Sequence, residues 1–425
     1  MSKASGLCEP KFYGLKKILE GNVDSGTELG ASLYVNVGGK PVVDMHAGFM
    51  DELKTQAWTE HTKTAVFSTS KCITNLAALV LVSRGLLDLD AKVSKYWPEF
   101  AANGKEGIEV RHLLSHSSGL SGWDEHMTME GIYDLENSAK LLAAQAPWWE
   151  PGSASGYHAV TQGTLIGKLV KEVTGKSLKD FIEDELAQPL GADYSLGVKE
   201  SDWHIVAPVI PLPNLPFVSN PDPDSVLGKT LKSLPLKAEY FNEPPLRLAA
   251  VGASNGYGNA RSVGQIMTII SLGGQVAGKV FLSQKALDRV FQAEVDSIDL
   301  LERRRYRWGP GFALPVEDDP KIPIPQGNIC FWGGWGGSIA IMDADRKTTI
   351  CYVMNKMGEE DGCLGTDRTW AYVKEIYRVQ LALSPSLSFS LSLSLSLSLS
   401  LSLSLSLSMR ASFELHHCLS LFLLA

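Results

Sequence analysis

The chain has 425 residues, a formal net charge of −8, 44% hydrophobic residues and 20% charged residues. This length can bury a large core, and the composition is typical of a globular protein. An acidic balance without a basic cluster argues against binding to nucleic acid or to an anionic membrane surface.

The chain carries no targeting or membrane signal that we can identify. Residues 2–10 lack an apolar core, and no later apolar run is long enough to span a bilayer, so we expect a cytoplasmic protein. The cysteines are scattered, with neither a C-x-x-C pair nor metal-ligand spacing, so we expect free thiols and neither metal nor cofactor. They are Cys8, Cys72, Cys330, Cys351, Cys363 and Cys418.

The first predicted elements are a short helix over residues 12–20 and a β-hairpin over residues 30–48. Alternating apolar residues flank Gly38 and Gly39, a pair that favours a tight hairpin turn. Strands therefore come before the first chemically suggestive stretch of the chain.

That stretch is Ser68-Thr69-Ser70-Lys71, followed by a continuously apolar run that predicts a buried helix ending near Gly85. Serine and lysine three residues apart share one face of a helix, so S-x-x-K can supply a nucleophile and a base. The pattern alone is weak, because serine is a common N-cap and lysine is common on any helix.

His112 and His116 have a spacing that also occurs in helical metal sites. The zinc-protease pattern requires glutamate directly after the first histidine, and Leu113 stands there instead. We therefore predict that these histidines cap and pack a helix end.

A turn-rich loop over residues 148–159 leads into a helix predicted over residues 160–173, which stops at Gly175. Tyr157 lies at the junction, where a catalytic role and a packing role are both open. The proline-rich segment 203–245 predicts an extended, largely irregular excursion.

Residues 252–256 match G-x-S-x-G, the nucleophile elbow of α/β-hydrolases. That class needs an acid and then a histidine downstream, and the only histidines after Ser254 are His416 and His417, in an anomalous tail. We therefore interpret this segment as a glycine-rich turn.

The last part of the chain returns to strands. Helices are predicted over residues 264–272 and 283–293, and strands over residues 308–314, 331–341 and 348–354. Residues 384–408 alternate serine and leucine, so we expect disorder or aggregation there and suspect a translated microsatellite or a gene-model error. Residues 409–425 show no interpretable organisation.

Five motifs in this order resemble those of the serine β-lactamase and penicillin-binding-protein superfamily. The closer likeness is to its class C-like branch, with family VIII carboxylesterases and lovastatin-type acyltransferases. The motifs lie at residues 68–71, 110–120, 151–175, 254–262 and 331–338. Agreement among several motifs is far more specific than any one of them.

The resemblance covers about residues 10–380 and implies an α/β (α+β) fold. An antiparallel sheet flanked by helices would be built from both chain ends, residues 10–66 and about 300–380. A mainly helical lobe would be inserted between them, over about residues 67–299.

The resemblance also implies the roles of the site residues. Ser68 would be the nucleophile, Lys71 its partner and Tyr157 the proton relay. Trp332-Gly333-Gly334 matches the third family motif, and the backbone N–H groups of Ser68 and Trp335 would form the oxyanion hole.

Two departures from the β-lactamase pattern bear on the substrate. Trp332 replaces the lysine that binds a β-lactam carboxylate, so it would offer the substrate an apolar plate and no cation, and Ala159 stands where those enzymes have asparagine. We therefore expect an esterase or acyltransferase that forms an acyl-Ser68 intermediate from a small acyl ester or thioester, with little β-lactam hydrolysis. The alternatives are a catalytically retired scaffold or binding protein and a D-amino-acid peptidase. The acyl acceptor and the oligomeric state stay open.

Overall fold

The computed structural model describes residues 3–212, 221–234, 237–317, 319–358 and 364–382. Fourteen strands lie in these ranges. They are β1 Ser5–Cys8, β2 Gly30–Val37, β3 Lys40–Gly48, β4 Thr64–Ala65, β5 Ser195–Leu196, β6 Gly256–Gly258, β7 Gln275–Val276, β8 Lys279–Val280, β9 Val295–Ile298, β10 Arg305–Trp308, β11 Ala313–Leu314, β12 Ile329–Gly333, β13 Ile339–Asp343 and β14 Thr348–Met354.

Nine of these strands form one antiparallel sheet, in the order β1-β3-β2-β14-β13-β12-β11-β10-β9. Its strands come from residues 5–48 and 295–354, so both ends of the described chain contribute. A three-stranded sheet, β4-β6-β5, and the β7–β8 hairpin complete the described strands.

The β2–β3 hairpin confirms the prediction from sequence. Gly38 and Gly39 have φ values of +59° and +87°, as a two-residue hairpin turn of the primed type requires. The sheet is covered where α11, a helix over Ala260–Ser271, packs on β2, β13 and β14. At that contact a Cβ on Gly264 would collide with the ring of Tyr34, so only glycine allows so close an approach.

Most of the helices lie between the two groups of sheet strands. The other helices are α1 Tyr13–Ser25, α2 Ser70–Ser83, α3 Val110–Leu114, α4 Met129–Tyr133, α5 Leu135–Ala144, α6 Thr161–Thr174, α7 Leu178–Ile182, α8 Gln188–Leu190, α9 Val226–Ser233, α10 Pro244–Leu248, α12 Gln284–Val290 and α13 Asp367–Ala382. Short 3₁₀ turns lie at Pro10–Phe12, Val93–Lys95, Pro98–Ala101, Glu200–Ile205 and Ala238–Asn242, and a π-turn at Glu183–Ala187.

Helix α2 lies at the centre of this arrangement. Residues 70–81 are all buried, and the helix packs on α6, α7, α11, α12 and strand β12. Its continuous apolar run is explained by these contacts, because a helix surrounded on all sides has no face exposed to water.

The predicted fold class, an antiparallel sheet flanked by helices, is confirmed. Three local predictions are wrong. The strand predicted over residues 308–314 is the last residue of β10, a turn at residues 309–312 in which Gly311 has a φ of +95°, and β11. The strand predicted over residues 331–341 is two strands, β12 and β13, joined by a tight turn in which Gly336 and Gly337 have positive φ. The proline-rich segment is more helical than expected, because Ser225 caps α9 and Pro244 begins α10, where proline is tolerated.

The chain divides into two compact units, Met1–Lys374 and Glu375–Ala425. The sheets lie in the first unit, and the description of the second covers residues 375–382. The Ser-Leu alternation over residues 384–408 and the last 17 residues lie outside the described residues, and the boundaries of the two lobes stay a prediction. No helix among the described residues has the length and hydropathy needed to cross a membrane.

Candidate active site

Ser68 lies in the turn between β4 and α2, two residues before the helix begins. The preceding Phe67 has a φ of +47°, which is rare for a bulky side chain and marks local strain. Ser70 holds this conformation, because its Oγ donates to the Phe67 carbonyl oxygen at 2.5 Å and accepts the Gly256 N–H at 2.8 Å. The turn that carries Ser68 is therefore fixed against β6.

Lys71 connects Ser68 to two other segments. Its Nζ donates to Ser68 Oγ at 3.3 Å, to the Ala159 carbonyl at 2.7 Å and to the Ala253 carbonyl at 2.9 Å, and the residue is 1% exposed. Ala253 belongs to the G-x-S-x-G segment. That segment therefore contributes a backbone carbonyl to the site, while the Oγ of its Ser254 has no hydrogen-bond partner among the described residues.

Tyr157 lies directly above this lysine. The Lys71 Nζ is 4.8 Å from the centre of the Tyr157 ring, and the Tyr157 Oη accepts a hydrogen bond from Trp332 Nε1 at 3.1 Å. The Trp308 ring stacks on Tyr157, with the ring centres 6.3 Å apart and the planes 6° from parallel. The tyrosine is thus held both by its ring and by its hydroxyl.

The main chain around Tyr157 is anchored at successive residues. The Gly156 N–H donates to the His116 carbonyl at 2.9 Å, and the His158 N–H donates to His116 Nδ1 at 3.0 Å. The Tyr157 N–H donates to Asp299 Oδ1 at 3.1 Å. Since every one of these partners is far away in sequence, the fold as a whole positions this segment.

The third family motif ends strand β12 and turns beside the nucleophile. A Cβ on Gly334 would collide with the Val66 carbonyl, so glycine permits the close approach of the two segments. Ser338 Oγ donates to the same Val66 carbonyl at 2.9 Å and lies 2.9 Å from Thr69 Oγ1. The ring of Trp335 packs edge-on against Phe67 at 5.8 Å.

Trp332 is placed differently from what its sequence suggested. The departure from lysine predicted an apolar plate facing the substrate, but the side chain is 1% exposed and packs among Tyr157, Tyr306 and Trp308. Its indole N–H is directed at the Tyr157 hydroxyl. Trp332 is therefore a hydrogen-bond donor to the neighbouring tyrosine.

His158 is buried beside the site and stays neutral. Its Nδ1 lies 2.5 Å from the Gly156 carbonyl and its Nε2 lies 2.7 Å from Ser118 Oγ, so the network assigns the proton to Nδ1. Burial lowers the pKa of His158 to about 4, and burial also holds the pKa of His116 well below its ordinary value. Both histidines are therefore uncharged near neutral pH and are weak proton acceptors.

This burial predicts a loss of stability in mild acid. Between pH 4 and the ordinary histidine pKa of about 6.5, the unfolded chain binds the His158 proton and the folded chain does not, so the stability falls as the pH falls. We expect His158 to account for about 2 kcal/mol of lost stability between pH 7 and pH 5. Urea unfolding of the wild type and His158→Gln at both pH values would measure it.

The matched control is His204→Gln, since His204 is an exposed histidine whose Nδ1 lies 2.8 Å from the Ser201 carbonyl in its own turn. It should keep the wild-type difference between the two pH values, whereas His158→Gln should show a smaller difference. Equal differences in the wild type and in His158→Gln would contradict the prediction.

The structure also shows where the remaining histidine and the cysteines noted in the sequence lie. His112 caps the start of α3, its Nδ1 accepting the Glu109 N–H, and no group of three histidine, cysteine or acidic side chains in the described ranges could hold a metal. The four cysteines that the structure describes are unpaired, while Cys363 and Cys418 lie outside the described residues.

The structure brings Ser68, Lys71, Tyr157 and Trp332 together, with Gly333, Gly334 and Trp335 on the adjoining strand end and turn. Sequence reasoning missed four further contributors, which are His116, Ala253, Asp299 and Trp308. A backbone carbonyl has no residue-type signal, and the other three act through contacts between distant segments.

Comparison with known proteins gives a consistent result. The family model described as Beta-lactamase matches residues 15–374. The chain is 31% identical over 370 residues to "Esterase/beta-lactamase LipL" of Mycobacterium tuberculosis, covering 83% of each chain. It is 28% identical over 356 residues to "Esterase EstB" of Burkholderia gladioli, covering 77% of this chain and 86% of that protein.

Solved structures agree with this result. The crystal structure of a family VIII carboxylesterase superposes with a TM-score of 0.82 at 33% identity, covering 89% of this chain and 100% of the other. Simvastatin synthase (LovD) of Aspergillus terreus superposes with a TM-score of 0.65 at 17% identity over 87% of this chain and 98% of the other, which shows a shared fold. The chain belongs to the β-lactamase family and is a serine hydrolase of that family.

Proposed function

We propose that this serine hydrolase is a carboxylesterase or acyltransferase that forms an acyl-enzyme on Ser68. The observation that carries the proposal is the contact between Lys71 Nζ and Ser68 Oγ at 3.3 Å inside a buried site. A serine hydroxyl becomes a nucleophile when a neighbouring base takes its proton, and Lys71 is within hydrogen-bond reach of it.

The surroundings of Lys71 suit a proton acceptor. A neutral amine has two N–H bonds and one lone pair. Its two N–H bonds would satisfy the Ala159 and Ala253 carbonyls, and the lone pair would then face Ser68 Oγ. The same contacts suit the ammonium after it has taken the Ser68 proton, so the site needs no rearrangement between the two states.

In the proposed reaction, Ser68 Oγ attacks the acyl carbonyl while its proton passes to the Lys71–Tyr157 pair. The pair then protonates the leaving alcohol as the bond between the acyl carbon and its oxygen breaks. Water or a small alcohol then attacks the acyl carbon and loses its proton to the same pair, which returns the proton to Ser68 Oγ as the bond between the acyl carbon and Ser68 Oγ breaks. The backbone N–H groups of Ser68 and Trp335 would stabilise the oxyanion, a contribution of about 10²- to 10³-fold per donor.

The preference for esters over β-lactams follows from Trp332. Its indole N–H is directed at Tyr157, and its buried ring offers no cation to an anionic substrate group. Ala159 likewise contributes its main-chain carbonyl to Lys71, where β-lactamases of the resembled type carry an asparagine side chain. The names of two relatives support an ester substrate, since one is called an esterase and the other an esterase/β-lactamase. Because the second name also includes β-lactamase, a β-lactam has to be tested beside the ester.

The full-length protein should hydrolyse short-chain p-nitrophenyl esters with a kcat/KM at least about 10²-fold higher than for nitrocefin, because a charge-assisted bond to the β-lactam carboxylate is missing. Steady-state kinetics with both substrates would measure this. Comparable efficiency on nitrocefin would contradict the ester preference. If a fluorophosphonate probe leaves Ser68 unlabelled, the assignment of Ser68 as the nucleophile is contradicted. That result would favour the alternative of a catalytically retired member of the family.

A further inference from the structure

Asp299 is a buried carboxylate in the turn that follows strand β9. It is fully buried and accepts hydrogen bonds from backbone N–H groups, and the Ser155 side chain also stabilises its charge. Burying a carboxylate is costly unless it is well bonded, so its partners identify what this side chain stabilises.

Three N–H groups converge on one oxygen of this carboxylate. Oδ1 accepts from Leu301 at 2.9 Å and from Glu302 at 3.0 Å, both within its own turn. The third donor is the Tyr157 N–H at 3.1 Å, 142 residues earlier in the chain. Two local bonds would be enough to shape the turn, and the third links it to the candidate catalytic tyrosine.

Two further bonds join the same segments. The Leu300 N–H donates to the Ser155 carbonyl at 2.8 Å, and the Ser155 N–H donates to Ser297 Oγ at 3.1 Å. The Asp299 turn is therefore bonded to the segment before Tyr157 as well as to Tyr157 itself. This pattern distinguishes Asp299 from an ordinary turn cap, which bonds only its own neighbours.

The position of the Tyr157 main chain also affects Lys71, through the hydrogen bonds of Ala159. The Ala159 N–H donates to the Tyr157 carbonyl at 3.0 Å, and the Ala159 carbonyl accepts from Lys71 Nζ at 2.7 Å. A shift at the Tyr157 amide would therefore move both the tyrosine ring and a carbonyl that holds the lysine. A displacement of about 1 Å in such a constellation can cost about 10²-fold in rate.

We propose that Asp299 is a positioning residue for the reaction: its Oδ1 fixes the Tyr157 main chain and thereby the placement of Tyr157 and the Ala159 carbonyl around Lys71. The inference rests on the proposed function, because it assumes that Tyr157 and Lys71 act together. It assigns no contact between Asp299 and the substrate.

Three substitutions separate geometry from charge. Asp299→Ala removes the acceptor, and we expect kcat for p-nitrophenyl esters to fall about 10²-fold while KM changes less than about 3-fold. Asp299→Asn keeps an oxygen at the Oδ1 position and places its amide at Oδ2, which has no hydrogen-bond partner among the described residues. It should stay within about 10-fold of the wild-type kcat. Asp299→Glu keeps the charge but moves the oxygen by one methylene, and should lose more kcat than Asp299→Asn.

The matched control is Asp343→Ala. Asp343 is also fully buried, and its carboxylate accepts hydrogen bonds from the Arg346 N–H and the Arg346 guanidinium, both at 2.9 Å and within its own turn. It should lower the thermal unfolding temperature without changing kcat of the folded protein.

Each outcome decides the proposal. Wild-type kcat in folded Asp299→Ala would overturn it, and so would Asp299→Glu as active as Asp299→Asn. If Asp299→Ala does not fold, the order of the Asn and Glu variants still decides. Absence of ester turnover in the wild-type protein would instead contradict the proposed function, so the two failures are distinguishable.

Discussion

Replacing Ser68 with alanine should abolish ester turnover, with kcat lower by at least about 10³-fold. The substitution removes the oxygen that would carry the acyl group, and leaves Lys71 with its two carbonyl partners. Residual activity would come from the oxyanion donors and from substrate binding alone. The measurement is steady-state hydrolysis of a p-nitrophenyl ester, with mass spectrometry of the acylated protein as a second readout.

Ser254→Ala provides a matched control within the same site region. Ser254 is the serine of the G-x-S-x-G segment, and its buried Oγ has no hydrogen-bond partner in the described part of the chain. Removing an unpartnered hydroxyl should be neutral or slightly stabilising, and the Ala253 carbonyl that holds Lys71 stays in place. Full activity in Ser68→Ala combined with loss of activity in Ser254→Ala would mean that Ser254, and not Ser68, is the nucleophile.

Local patterns were enough to predict the main elements of the fold. The hairpin of β2 and β3 depends on strand alternation and two glycines, and α2 and α6 depend on apolar runs that end near a glycine. The prediction failed at residues 331–341, where apolar residues on both sides concealed a tight turn. A run of apolar residues indicates that a segment is buried in a sheet, but it does not show where the chain turns from one strand into the next.

Some residues of the candidate site could be predicted from sequence motifs, and others are visible only in the structure. Ser68, Lys71 and Tyr157 could be selected because their motifs are short and chemically specific. Asp299, His116 and Trp308 could not, since each acts through a contact with a segment far away in sequence. The interpretation of Trp332 as an apolar plate followed from its residue type, and only the three-dimensional arrangement directs its N–H at Tyr157.

Replacing Tyr157 with phenylalanine should lower kcat by about 10²- to 10⁴-fold with little change in KM, the range expected for losing a group that transfers a proton. The ring that covers Lys71 Nζ and stacks on Trp308 is retained, so packing is largely preserved. The lost hydroxyl is the one that accepts from Trp332. Steady-state and pre-steady-state kinetics on the same ester would separate acylation from deacylation. An unchanged kcat would remove Tyr157 from the mechanism.

A double-mutant cycle then tests whether Trp332 acts through that hydroxyl. Alone, Trp332→Phe removes one neutral hydrogen bond and should lower kcat about 5- to 10-fold. In the Tyr157→Phe background its acceptor is gone, so the same substitution should cost almost nothing further. Trp308→Phe is the control, because Trp308 lies in the same aromatic cluster but its Nε1 has no hydrogen-bond partner among the described residues. Its effect should be the same in both backgrounds, since it removes only packing. An equal Trp332→Phe cost in both backgrounds would mean that Trp332, too, contributes only packing, and the hydrogen bond to Tyr157 would have no part in the reaction.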